Sequence, residues 1–186
     1  MACVTQGPSG PAGSLDFVSQ QPRRIDVVLG PGYLEGLDDR EIDDVRAMHE
    51  QCLEIETEVS YVRRLAQARM EILRAEQDRR ERGGSVADLV AALPSILADA
   101  GPRPDPASSR LTRHLAPAPA IEWTRGRESL ISDDTLANLP TLSDAELEEA
   151  LSGLGELERE VSERRRELHG VIDAIEADLA RRQVTA

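Results

Sequence analysis

Apolar residues step along the middle of this chain by threes and fours. From Val45 they run through Met48, Cys52, Ile55, Val59, Val62 and Ala66, meet polar Arg69, and resume at Leu73. That alternation is the seam of a coiled coil, since about 3.5 residues bring an α-helix back to the same side. The helix is predicted to begin near Asp38, where Asp38-x-x-Glu41 has the form of a capping arrangement, and to stop at Gly83-Gly84. Residues 38–82 would make a rod roughly 65 Å long. A small domain cannot cover such a rod, so it needs a second long helix.

Residues 143–182 supply it. Ser143-x-x-Glu146 is a capping box ahead of Leu147. The seam then reads Leu147, Ala150 or Leu151, Leu154, Leu157 and Val161, meets Arg164, and continues through Leu168, Val171 and Ile175. Each seam loses one apolar position to an arginine, and pairing is expected to be locally weak there. Gly153, Gly155 and Gly170 lie inside this helix, where each costs about 1 kcal/mol relative to alanine. They mark either an unselected exposed face or the close approach of a ligand or partner.

Around the two helices the pattern is broken. Residues 1–37 read as a disordered tail, rich in Gly, Pro, Ser and Gln, followed by a short apolar segment at Ile25–Leu37. That segment either packs on the helices or awaits a partner. The connection over 83–142 carries a short apolar helix near 85–99, capped by Ser85-x-x-Asp88, interrupted by Pro94 and ended at Gly101. This helix either docks in another protein's groove or folds back on the hairpin. A Pro-rich, flexible or extended linker follows it. The fold class is therefore all-α: two long helices forming an antiparallel coiled-coil hairpin, with a short helix in the linker and a disordered N-terminus. Antiparallel packing is the simpler hairpin.

Composition narrows the function. Aromatic residues make up 2% of the chain and charged residues 31%, which suits paired long helices and not a β-sandwich or barrel. The formal net charge of −13 argues against DNA or RNA binding, which relies on clustered cations, and favours a basic protein partner. All 22 basic residues are arginines, so every cation is a planar fork donor. Cys3 and Cys52 make no disulfide framework, and no Cys/His cluster has metal-ligand spacing. No leader or membrane-length apolar run is recognisable, so the expected compartment is the cytoplasm.

The most specific feature is a repeat. Glu56–Arg64 reads E-T-E-V-S-Y-V-R-R and Glu158–Arg166 reads E-R-E-V-S-E-R-R-R, 102 residues on, with six of nine positions identical. Each copy extends into a polar stripe with matched offsets: Glu56, Ser60, Arg63, Gln67 and Glu71 in the first, Glu158, Ser162, Arg165, His169 and Asp173 in the second. With Val45 and Val161 at heptad position a, both stripes occupy positions e, b and f. In an antiparallel pair, e faces e across the seam, so both stripes would line one side and form a composite surface with a pseudo-two-fold axis. Parallel packing would put them on opposite sides.

The chemistry of that surface suits a nucleotide. Arginine forks pair with phosphate or stack on a base, a carboxylate accepts from guanine's N1–H and amino group, and serine donates to a phosphate oxygen. A two-fold ligand carrying guanines and phosphates, such as cyclic di-GMP, would meet every group. A single Glu/Ser/Arg stripe is more often a solvated charge network; two in register are less easily explained so. No nucleophile–base–orienter set emerges, so no enzyme is expected.

At these residues the chain resembles the RsiG family of cyclic-di-GMP-dependent anti-sigma factors, whose members carry two copies of E-x3-S-x2-R-x3-Q-x3-D on an antiparallel helical pair. Eight of ten positions agree; Glu71 stands where the pattern has Asp, and His169 where it has Gln. The resemblance implies an intercalated dimer of cyclic di-GMP, two molecules per chain, on the ten stripe residues and, in the liganded state, sequestration of a sporulation or flagellar type sigma factor from RNA polymerase. A structural coiled-coil adaptor without a nucleotide ligand is the competing reading.

Overall fold

The computed structural model describes residues 23–99, 129–132 and 134–185. Five α-helices are present among them: α1 (Arg24–Val28), α2 (Ile42–Arg82), α3 (Val86–Asp99), α4 (Ser129–Ser132) and α5 (Asp144–Thr185), with 3-10 turns at Leu37–Asp39 and Leu139–Thr141. The expected disorder before residue 23 and the Pro-rich linker lie outside the described residues.

The two long helices, α2 and α5, pack along each other. Cross-helix bonds fix their direction: His49 meets Glu176 at 3.1 Å, Gln67 donates to Glu158 at 2.9 Å and Arg80 reaches Asp144 at 2.7 Å. Partners ascend on one helix as they descend on the other, so the hairpin is antiparallel. The α2 seam is buried at every position its spacing selects, from Val45 through Met48, Cys52, Ile55, Val59, Val62 and Ala66 to Leu73. In α5 the buried set is Leu147, Leu154, Leu157, Val161, Leu168, Ile172 and Ile175. Val171 is only half-buried. The expected seam is thus corrected by one residue: the step from Leu168 is four to Ile172 instead of three to Val171. The next step, to Ile175, is then three, so the repeat keeps its length of seven and the core takes position e in place of d.

The segment before α2 packs on the hairpin: Ile25 and Val28 are buried, and Leu29, Tyr33, Leu34 and Leu37 lean on the same core. Arg24 donates to Glu54 and Glu58, and the Tyr33 hydroxyl donates to Gln51 at 3.2 Å. Burial pushes the Tyr33 phenol well above its ordinary pKa, with the neighbouring Cys52 thiol adding to the rise. Asp38-x-x-Glu41 does not cap α2. Asp38 sits in the 3-10 turn and pairs with Arg181 at 2.7 Å, while Glu41 is the N-cap without a side-chain bond.

The remaining punctuation matches the spacing. Gly83 ends α2 at φ 69°, the left-handed conformation that a side chain would strain. Ser143 and Glu146 form the capping box, with the Ser143 hydroxyl 2.6 Å from the Glu146 carboxylate. Ser85 and Asp88 do the same for α3. That helix folds back on α2 with Leu89 buried, and it runs through Pro94 without ending there.

The two seam arginines find work outside the seam. Arg69 donates to the Leu130 carbonyl of α4 at 2.8 Å, and Arg164 donates to Asp26 of α1 at 3.0 Å. Gly153 has the Leu130 side chain 3.0 Å from where a Cβ would stand, so this glycine admits α4. Among the described residues, nothing comes within 4 Å of that position at Gly155 or Gly170.

A longer internal symmetry is visible in three dimensions. Glu76 and Asp178, again 102 residues apart, are both buried at 1% exposure in the seam. Each is followed by two arginines at the same spacing. Arg79 and Arg80 donate to Glu76 at 2.6–2.7 Å, and Arg181 and Arg182 to Asp178 at 2.7–2.8 Å. Arg80 then reaches the Leu139 carbonyl at 3.0 Å, and Arg182 the Leu37 carbonyl at 2.7 Å. Each long helix therefore ends in an acid–arginine clamp on the turn that precedes the other. A buried carboxylate is tolerable only when so bonded.

Candidate functional site

The repeated stripes lie on one flank of the hairpin. Gln51 and Glu58 of α2, and Gly153 of α5, stand at heptad position g, on the other flank, and this is where α1, its following turn and α4 dock. These three additions to the hairpin thus gather opposite the stripes.

Within the stripes, antiparallel packing crosses the partners over. Glu56 accepts from its own helix's Ser60 at 2.7 Å and, from α5, the Arg165 Nε at 2.9 Å, with the His169 Nε2 at 3.4 Å. Arg165 Nε also donates to the Ser60 hydroxyl at 2.8 Å. The second cluster is the counterpart of the first. Glu158 accepts from its own Ser162 at 2.9 Å and from Gln67 of α2 at 2.9 Å, with the Arg63 Nη1 at 3.8 Å. Each cluster takes its Glu and Ser from one helix and its Arg and Gln or His from the other. Eight of the ten residues are so assembled; Glu71 and Asp173 stand one turn further along, Glu71 half-buried and Asp173 exposed.

Electrostatics differ between the clusters. Burial by itself would raise the Glu56 carboxyl, but hydrogen bonds from His169 and Ser60 and the Arg165 charge outweigh it and bring the pKa to about 2. Glu56 is therefore ionised throughout the physiological range. Burial, and then the neighbouring Arg165 charge, pull the Arg63 guanidinium below its usual value. The Arg63 Nε is buried and, among the described residues, has no hydrogen-bond partner. A desolvated donor without an acceptor costs about 1–3 kcal/mol, which makes this nitrogen the group on the flank most in need of an incoming acceptor.

The chemistry available is recognition. Two guanidinium forks, two hydroxyls, two carboxylates, an amide and an imidazole present donors and acceptors in two-fold array. Among the described residues no group of three or more His, Cys, Asp or Glu is placed to hold a metal ion. None of the described helices is long and apolar enough to cross a membrane.

A family model described as RsiG-like matches residues 31–97 and 133–186. No curated protein matched the chain. The family match spans both long helices, both stripes and both clamps, and the chain belongs to the RsiG-like family, a family of anti-sigma factors.

Proposed function

We propose that this chain is a nucleotide-gated anti-sigma factor. An intercalated dimer of cyclic di-GMP occupies the composite face that the two crossed clusters build, and the liganded hairpin sequesters a sporulation-type sigma factor from RNA polymerase. Release follows when the nucleotide falls, because a ligand that favours the bound complex shifts the equilibrium by its differential affinity. The protein catalyses nothing and works in the cytoplasm, where both nucleotide and sigma factor act.

The observation that carries this reading is the crossed, two-fold arrangement of the Glu56 and Glu158 clusters, with a buried, unpartnered Arg63 Nε beside them. Phosphate oxygens suit that nitrogen, and guanine edges suit the two carboxylates. Glu71 keeps the acceptor pair of the family's Asp on a longer arm, and His169 keeps a ring nitrogen where the pattern has an amide.

Calorimetric titration of cyclic di-GMP, with cyclic di-AMP as control, tests the reading. Selective binding near two nucleotides per chain is expected, together with nucleotide-dependent capture of a purified sporulation-type sigma factor. Arg63→Ala and Arg165→Ala should each stop the chain from holding two nucleotides at once while circular dichroism stays unchanged. The adaptor reading has its own support, since seven of these groups already bond one another. It predicts no heat from either nucleotide and little effect of the two substitutions, about 0–1 kcal/mol per exposed pair.

A further inference from the structure

The two clusters are built from the same groups, save one pair: Gln67 in one, His169 in the other. Their geometry nevertheless differs at the arginines. Arg165 Nε is committed twice, to Glu56 and to Ser60. Arg63 stands 3.8 Å from Glu158, and its Nε has no partner. The cause can be read at the carboxylates. Gln67 sits 2.9 Å from Glu158 Oε1, the oxygen that Arg63 would otherwise take, whereas His169 stays 3.4 Å from Glu56 Oε1 and leaves it to Arg165. One half is closed on itself and the other is open.

We propose that the halves load in order, the Arg63–Glu158 half first and the Arg165–Glu56 half second, and that His169 is the positioning residue that sets the difference. This rests on the crossed clusters being the nucleotide site. An incoming phosphate at Arg63 gains an acceptor-seeking donor without breaking an internal bond. At Arg165 the same contact with Nε must displace Glu56 and Ser60. Exchanging one charge-assisted bond of this kind separates the two steps by about tenfold in dissociation constant. Gln at position 169 would hold Glu56 as Gln67 holds Glu158, releasing Arg165 and making the halves alike.

Titration of the full chain with cyclic di-GMP is therefore expected to resolve two unequal steps. Arg165→Ala should keep the tighter step and lose the weaker, Arg63→Ala should lose the tighter, and His169→Gln should bring the two together. Gln67→His should weaken the first step. Arginine Nε–H resonances of the nucleotide-free protein give a second readout: Arg165 should carry a hydrogen-bond shift that Arg63 lacks, and His169→Gln should remove it. The inference is overturned by two equal steps in the wild type, by equal losses in the two arginine variants, or by steps that stay apart in His169→Gln. A wild-type protein that binds no nucleotide overturns the loading order along with the functional reading. A wild type that binds two nucleotides equally defeats the loading order alone.

Discussion

Glu76 and Asp178 occupy seam positions that a coiled coil ordinarily gives to leucine. Hydrogen bonds from Arg79 lower the Glu76 carboxyl most; burial opposes them, Arg80 adds to them, and the pKa falls to about 2. Glu56 is brought to about 2 as well. In the unfolded chain both would titrate near 4.5, so between those values the unfolded state binds more protons. Their stabilisation is fully present above about pH 4.5 and is lost as the pH falls toward 2. Thermal unfolding followed by circular dichroism from pH 6 to pH 2 should show the midpoint falling in that window. Glu76→Gln should lower the midpoint at neutral pH, by roughly 1–3 kcal/mol of stability, and flatten the acid limb. Neither clamp stood out in the sequence, since an acid at a seam position reads as a break in the pattern. The signal was nonetheless there, in E-x-x-R-R and D-x-x-R-R at the same 102-residue offset as the stripes.

For the elements, spacing was a good guide where apolar residues stood alone and a poor one where they stood in pairs. The α2 seam could be read because each apolar position is flanked by polar ones. At Val171-Ile172 either residue satisfies the pattern, and only the packing against α2 chooses Ile172. Ile172→Ala should therefore cost about 2–5 kcal/mol in denaturant unfolding, and Val171→Ala distinctly less. Equal losses would place the seam between them. The start of α2 was likewise hidden, because Asp38 is drawn off by an arginine 143 positions away. Local spacing cannot report so distant a partner.

At the scale of the molecule, the pairing of two long helices followed from the sequence; the antiparallel direction was expected only as the simpler hairpin and is fixed by the cross-helix bonds, and the shared flank of the stripes and the crossing of partners follow from it. The inequality of the two halves did not, since it depends on how far an imidazole and an amide reach toward a carboxylate. The clamps make a further expectation. Because Arg80 and Arg182 hold equivalent turns at opposite ends, Arg80→Ala and Arg182→Ala should destabilise the hairpin by similar amounts while leaving its helical content intact. A loss confined to one end, seen by hydrogen exchange, would show the ends to be unequal.

The clamp at Leu37 has one more consequence. It sets the end of α5 against the last turn before α2, with Arg182 2.7 Å from the Leu37 carbonyl. Among the described residues, neither crossed cluster draws a group from the connection between the helices. The chain could then be cut within that connection and the end of α5 joined to α1 by a peptide long enough to run from Arg182 back along the hairpin to Glu54 and Arg164, reversing the order in which the helices are synthesised. Such a circular permutant would keep every cross-helix bond of the two clusters, so the order of the two halves along the gene is immaterial to the surface they build.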